Sequence, residues 1–450
     1  MSVRHRILHD IHFNIAIEFI TNSLNKQKVG KNILILGAGF GGLTCANMLR
    51  KSIPTENEIT VIDKKQYFMM GLVNLWILNG TKTLEESQAP LNKLTDKGIK
   101  FINDEITNID LSNQIVNTKK SLSSRSSKNN KDNKLKYDYL IIALGAEHIP
   151  KQIGGYSDND NNNDNNNLIF NLYEPFHIPR LREKILALRK GKVVICISSI
   201  PYKCPPAPYE ASLLINNILK ETKTRNNIDI DIYTPTPIAL PVAGPKVSQE
   251  VIDVLNTNQI YLHVQHKLKR IFSNKQMLEF GTTNSNQTDD GINNVHYDLL
   301  VLIPPHTVPA VIRNSDLIDK GQNWINVNKY TLRTKYENVF AIGDVTEIKI
   351  NQTLAIPKAG VFAEQEAKVV SQQIIDEITG TKEVGGSSAS RRFDGKGFCF
   401  MEVGDKKAGY VDADFYHESG PLVRLEMPSE ESYKKKIEFE RTRINEWLMS

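Results

Sequence analysis

The chain is 450 residues long, with 40% hydrophobic residues, 24% charged residues and a formal net charge of +5. That length supports two or three domains, each with its own core. The weak, dispersed charge excludes nucleic acid as a partner, and no apolar run reaches the roughly 18–20 residues of a spanning helix.

Residues 1–30 start basic, Asp10 and Glu18 interrupt their apolar stretch, and no small-residue cleavage site follows. They read as an extension outside the main fold, an amphipathic helix and not a secretory signal. A cytoplasmic protein is expected, with peripheral contact at the inner face of the membrane left open. The four cysteines, Cys45, Cys196, Cys204 and Cys399, are too few for a secreted disulfide scaffold and lack zinc-pair spacing, so no metal is expected.

Residues 31–36 (KNILIL) form an apolar strand, GAGFGG follows, and LTCANMLRKS reads as a helix. The next strand, EITVID, ends on Asp63. In this order the glycines have distinct jobs. Gly37 makes the tight turn, Gly39 lets the backbone approach a pyrophosphate, and Gly42 lets helix and strand pack closely. The helix N-terminus faces the phosphates, and Asp63 can accept from ribose hydroxyls. Cys45, on that helix, reads as a small core residue facing the sheet.

Residues 119–134 are Ser/Lys/Asn-rich and 157–167 are almost entirely Asp and Asn, so both read as surface insertions without chemistry. Between them, LKYDYLIIALGAEHIP (135–150) is a strand ending in ALGA, which includes Gly145. Further on, NVFAIG is a strand ending on Gly343 and Asp344, and residues 356–378 read as a long helix with a proline near its start. Taken together, these segments resemble the flavoproteins with two dinucleotide-binding domains. The resemblance implies FAD with Asp344 on its ribityl chain. It also implies a helix, starting near Lys358, whose positive end faces the flavin N1–C2=O edge and favours the anionic reduced form.

GKVVICI (191–197) is another apolar strand, with Cys196 in the core. No glycine loop follows it. The chain continues SSIPYKCPPAPYE, and the following strand, NIDIDIYTPTPIAL, lacks an acid suited to a ribose. The elements that would bind a pyridine nucleotide are absent. Cys204 stands there instead, ahead of Pro205, Pro206 and Pro208 and the helix YEASLLINNILKE. A thiol near a helix N-terminus tends toward thiolate, and Glu210 is available nearby as an acid or base.

Cys-Pro-Pro-Ala-Pro-Tyr-Glu at 204–210 is similar to a segment of the sulfide:quinone oxidoreductase and flavocytochrome c sulfide dehydrogenase group. That resemblance covers nearly all of residues 31–450. It implies a redox pair beside the flavin, Cys204 with Cys399, which lies in GFCFMEV. Many quinone-linked members carry a third essential cysteine, for which this chain has no candidate. No cysteine is left to tether the flavin, so FAD is expected to be non-covalent.

The implied fold is α/β, with two Rossmann-like dinucleotide-binding domains and a small α+β C-terminal domain. Residues 31–165 with 286–378 make a discontinuous FAD domain, 166–285 a degenerate second domain, and 379–450 the C-terminal domain. The implied catalytic residues are Cys204, Cys399, Glu210 as proton handler, and Lys358. The implied cofactor-binding residues are Gly37, Gly39, Gly42, Asp63, Gly145, Gly343, Asp344 and Lys358.

The leading expectation is sulfide oxidation. Hydrosulfide attacks a Cys204–Cys399 disulfide, a persulfide forms, and two electrons pass through FAD to quinone. The alternatives are a type II NADH dehydrogenase-like NADH:quinone oxidoreductase and a flavin-binding protein without turnover. Oligomerisation is left open. So is the role of residues 430–450, where Tyr433, Ile437, Ile444, Trp447 and Leu448 share one helical face that suits a membrane surface, a partner or the protein's own core.

Overall fold

The computed structural model describes residues 30–119, 134–157, 167–282, 293–381 and 391–449. The expected N-terminal helix and almost all of both polar insertions lie outside the described residues.

Two five-stranded parallel sheets organise the chain. The first runs Val339–Ala341, Tyr139–Ile142, Asn32–Leu36, Glu58–Asp63, Lys100–Asn103. Its central strands are continuous apolar runs because helices or loops cover both faces of a parallel sheet. Asn32–Leu36 turns at Gly37 into the helix Phe40–Ser52, whose Cys45 is fully buried and donates to the Ala367 carbonyl at 3.5 Å. Burial pushes that thiol up to about 12, so it is a core residue, as its helix position suggests.

The turn requires glycine at two positions. Gly37 has φ +99°, and a Cβ there would lie 2.4 Å from the Ala143 carbonyl oxygen. A Cβ on Gly42 would lie 1.9 Å from the Gly37 carbonyl oxygen. Both obstacles are backbone, which cannot swing aside. Gly42→Ala is therefore expected to lose about 2–4 kcal/mol of stability from forced backbone movement, read as a lower urea midpoint than wild type.

The second sheet runs Ile169–Asn171, Leu299–Ile303, Gly191–Ile197, Ile228–Tyr233, Ile260–His263. The sequence reading returns the chain to the first unit at residue 286. Leu299–Ile303 instead lies inside the second sheet, because all five of its residues are buried and such a strand needs neighbours on both sides. Cys196 is fully buried, and burial raises its pKa. Beyond Ile197, the Ser198 N–H and hydroxyl both donate to the Ile303 carbonyl, at 3.1 and 2.7 Å. This ties down the loop that leads to Cys204.

The C-terminal part is an antiparallel sheet of Lys396–Gly404, Lys407–Asp414 and Leu422–Leu425, followed by the helix Glu430–Ile444. The Ser429 hydroxyl caps that helix by accepting the Ser432 N–H at 3.1 Å. The apolar face expected there divides. Tyr433, Trp447 and Leu448 are buried, Ile444 is half-buried, and Ile437 is 41% exposed. Trp447 meets Phe40 edge-on at 5.3 Å, so the segment packs on its own protein. Among the described residues no helix is long and apolar enough to cross a membrane.

Candidate active site

Cys204 occupies the turn that enters the helix Ala207–Glu221. Its φ is +51°, a left-handed conformation that costs a non-glycine residue about 1–3 kcal/mol and persists only where the surroundings enforce it. Two hydrogen bonds do so. The Cys204 N–H donates to the Lys358 carbonyl at 2.7 Å, and the Cys204 carbonyl accepts the Ala207 N–H at 2.9 Å. The thiol is thereby fixed between the end of the second sheet and the lead-in to the helix Gly360–Thr379.

Cys399 lies mid-strand in Lys396–Gly404, opposite Val411, with its Sγ 3.5 Å from the Phe400 carbonyl oxygen. The strand packs on the Ala207–Glu221 helix, whose entry turn carries Cys204. The fold therefore brings two cysteine-bearing segments, far apart in sequence, into contact, and both cysteines are free and half-buried. The expectation that Cys204 leans toward thiolate is not met. Burial, reinforced by Cys399 and Glu210, outweighs the opposing Lys436 and Ala207 N–H and holds its pKa well above the ordinary thiol range. Burial likewise pushes Cys399 up to about 12. At each, burial favours the thiol over the thiolate.

A buried ion cluster stands beside them. Glu210 Oε1 accepts the Glu402 N–H at 2.8 Å and the Lys436 ammonium at 2.9 Å. Lys436 also donates to Glu402 Oε2 at 2.9 Å, and that oxygen accepts the Trp76 indole N–H at 3.0 Å. The side chains of Glu210 and Lys436 are each only 2% exposed. Burial raises the Glu210 pKa despite Lys436. The sequence reading finds Glu210 but not Lys436 or Glu402. Lys436 sits in the strongly charged run SYKKKIEFERTR, where nothing separates the buried lysine from its solvated neighbours.

Lys358 is buried. Its Nζ donates to the carbonyls of Asp344 at 2.8 Å and Thr346 at 2.9 Å, and lies 3.3 Å from the centre of the Trp324 ring. Burial lowers its pKa to about 8, against the pull of Asp344, Glu347 and Glu366. The helix begins at Gly360, two residues beyond Lys358, and its first turn borders a small pocket lined by Gly343, Asp344, Thr346, Lys358, Ala359 and Phe362. Burial raises the Asp344 pKa, opposed by Lys358 and Lys203. Glu366, missed in the sequence, closes this side. Its Oε2 accepts the Gly343 N–H at 2.6 Å, and burial pushes its pKa up to about 8.

At the glycine loop, Asp63 accepts the Ala38 N–H at 2.7 Å and the Lys65 N–H at 2.8 Å, one on each oxygen, which leaves lone pairs for a further donor. Gly39 caps the helix Phe40–Ser52 with no side-chain cap, and a Cβ there would meet nothing within 4 Å. The same is true of Gly145, at φ +68°. The first-turn N–H groups and this open space form a cradle that fits a dinucleotide phosphate. Among the described residues no group of three His, Cys, Asp or Glu side chains is arranged to hold a metal ion.

Comparison with known proteins gives the family and the fold. A family model described as pyridine nucleotide-disulphide oxidoreductase matches residues 31–177 and 221–367. A second, the central part of the sulfide dehydrogenase (flavocytochrome c) flavoprotein chain, matches residues 179–232, which include the Cys204 segment. The mitochondrial sulfide:quinone oxidoreductase of Dictyostelium discoideum is 27% identical over 338 residues, 73% of this chain and 68% of its own length. The type II NADH:quinone oxidoreductase of Staphylococcus haemolyticus is 31% identical, but over only 28% of this chain and 29% of its own. The crystal structure of the sulfide:quinone oxidoreductase of Aquifex aeolicus shares the fold, with a TM-score of 0.77 at 22% identity over 93% of this chain and 92% of that one. The chain belongs to the pyridine nucleotide-disulphide oxidoreductase family, and it is an FAD-dependent oxidoreductase of the kind whose members hold the flavin non-covalently.

Proposed function

We propose that this flavoprotein oxidises sulfide at Cys204 and Cys399 and delivers the electrons to a quinone. The observation that carries the reading is the packing of the Cys399 strand on the Ala207–Glu221 helix that Cys204 leads into, with Cys204 hydrogen-bonded through its backbone to Lys358 beside the Asp344 pocket. Gly37, Gly39, Gly42, Asp63, Gly145, Gly343 and Asp344 would hold FAD, which supplies a two-electron acceptor for the thiol pair.

In the oxidised pair, hydrosulfide attacks one sulfur of the Cys204–Cys399 disulfide. A new S–S bond forms to the incoming sulfur, the old one breaks, and the other cysteine leaves as a thiolate. Because burial disfavours that thiolate, the Lys436 ammonium, which favours ionisation of both cysteines, stabilises the leaving sulfur. Glu210 orients Lys436 and is the nearest carboxylate able to exchange a proton at this step. A second thiol or hydrosulfide removes the outer sulfur and restores the thiol pair for oxidation. Peripheral contact with the inner face of a membrane belongs to the same proposal and rests on the need to meet a lipid-soluble quinone.

The absence of a glycine loop after Gly191–Ile197 supports sulfide over NADH as the donor. Anaerobic addition of sulfide to the purified holoprotein is expected to bleach the flavin absorbance band, with equimolar NADH leaving it unchanged. Bleaching by NADH alone would transfer the reading to a type II NADH:quinone oxidoreductase. A flavin reduced by neither would mark a binding protein without turnover.

A further inference from the structure

Beside Cys204, and outside the residues given a role above, His148, His306 and Tyr173 form a closed cluster. His148 and His306 face each other in register on the two-stranded ribbon of Glu147–His148 and His306–Thr307. Their ring centres are 4.7 Å apart, and the Tyr173 ring lies 5.6 Å from the first and 5.4 Å from the second. The ribbon follows Gly145 on one side and the second-sheet strand Leu299–Ile303 on the other. It therefore sits beyond the carboxyl ends of parallel strands, the place where such folds take their ligands.

Three buried atoms here have no hydrogen-bond partner among the described residues: His148 Nε2, His306 Nε2 and Tyr173 Oη. Tyr173 is 8% exposed and His306 9%. An unmade bond on a buried atom costs about 1–3 kcal/mol per group, so three on mutually contacting rings point to a missing polar partner.

The neighbouring bonds set what each atom offers. Asn171 Oδ1 accepts the Tyr173 N–H at 2.9 Å, which turns the Asn171 NH2 toward His148 Nδ1, 3.4 Å away. His148 Nδ1 is thus the acceptor, and neutral His148 carries its proton on Nε2, a donor. His306 is the reverse. Its Nδ1 lies 2.8 Å from the Pro304 carbonyl and must donate, leaving Nε2 as a bare lone pair. Burial and nearby lysines keep both rings neutral. Lys203, directly before Cys204, holds its ammonium 5.2 Å from the centre of the Tyr173 ring, and no carboxylate among the described residues is within ion-pair distance of it. Burial lowers its pKa, against the longer-range pull of Asp344 and Glu174, and an anion beside it would favour the charged form. The site therefore offers a donor, an acceptor, a hydroxyl and a lysine without a carboxylate partner.

We infer that His148, Tyr173, His306 and Lys203 hold hydrosulfide in waiting beside Cys204. The ion is a small monoanion whose sulfur accepts from His148 Nε2 and pairs with Lys203 while its single S–H donates to His306 Nε2. This rests on the proposed sulfide oxidation. A persistent anion without a hydrogen, such as chloride, would leave the His306 lone pair unmet, and water would leave the lysine unpaired. Lys203, the chain neighbour of Cys204, stands over the Tyr173 ring, which places the cluster beside the residue to be attacked.

The test is anaerobic flavin bleaching by sodium hydrosulfide, read as the half-saturating concentration, on the holoprotein. His306→Leu and Lys203→Met are each expected to raise that concentration about tenfold, the size of one hydrogen bond or ion pair to an anion. His306→Gln, whose amide oxygen can accept, is expected to recover most of the loss. If His306→Leu does not retain flavin, Tyr173→Phe removes only the hydroxyl and is expected to raise the half-saturating concentration several-fold. Half-saturation unmoved in these variants, or rate lost at saturating sulfide with half-saturation unmoved, would overturn the inference and leave sulfide oxidation standing. A wild-type flavin that sulfide does not bleach would remove both.

Discussion

Cys204→Ser retains its flavin and loses at least about a thousandfold of its sulfide-driven flavin reduction: that is the expected result of removing the attacked sulfur while keeping its place in the fold. Serine preserves the backbone bonds that position residue 204, the N–H donated to the Lys358 carbonyl and the carbonyl accepting from Ala207. It keeps the same positive φ and nearly the same volume. The glycine cradle, Asp63 and Asp344 are untouched, so the visible spectrum and flavin content should match wild type. Dithionite, which needs no thiol, should still bleach the band. Only the S–S bond is gone. Cys399→Ser should fall as far, and the double variant no further than either single one, because two halves of one disulfide act as a unit. Cys45→Ser and Cys196→Ser probe thiols fully enclosed in the two parallel-sheet units and should keep sulfide reduction, apart from lost stability. Undiminished reduction in Cys204→Ser would refute the disulfide route.

What the sequence disclosed and what it concealed divide along one physical line. Local pattern locates the elements. GKVVICI is the strand Gly191–Ile197, EITVID is Glu58–Asp63, and the prolines after Cys204 stand where the helix Ala207–Glu221 starts. These depend on apolar runs, glycine turns and caps, which are properties of neighbours in the chain. The site depends on contacts between distant segments, and there the pattern is silent. Cys399 is reached in the sequence only through the family resemblance, because GFCFMEV by itself makes it an ordinary small residue in a strand until the Ala207–Glu221 helix is packed against it. Lys436 reads as one lysine among several until Glu210 and Glu402 close on it. His148 and His306 are unremarked singly and become a pair only when the ribbon forms. The error at Cys204 has the same origin. A helix N-terminus lowers a thiol pKa when water reaches the sulfur freely, but burial reverses the sign, and burial by distant segments cannot be read from Cys-Pro-Pro-Ala-Pro-Tyr-Glu.

The buried ion cluster behind the two cysteines leads to the second large effect. Lys436→Met is expected to cost about 3–5 kcal/mol of stability, because it leaves the carboxylates of Glu210 and Glu402 enclosed and uncompensated. The loss should depend on pH with a definite sign. Burial already raises the Glu210 pKa above 4.5, and without the Lys436 ammonium that lowers it, the pKa must climb further. An acid whose folded pKa exceeds its unfolded value contributes stability that is fully present below the unfolded pKa and is lost as pH rises through the folded one. The deficit of Lys436→Met should therefore be smaller at pH 5 than at pH 8. Lys436 itself is raised above 10.5 by its two carboxylates, so in wild type its contribution is whole throughout that window and fades only above it. Urea unfolding followed by far-UV circular dichroism at the two pH values measures both claims. Adding Glu210→Gln to Lys436→Met should return about 1–2 kcal/mol at pH 8 by removing one of the stranded charges. A loss below about 1 kcal/mol, or one that grows toward pH 5, would mean that water reaches the cluster and that it lacks the dielectric isolation the adjacent thiols need to feel it.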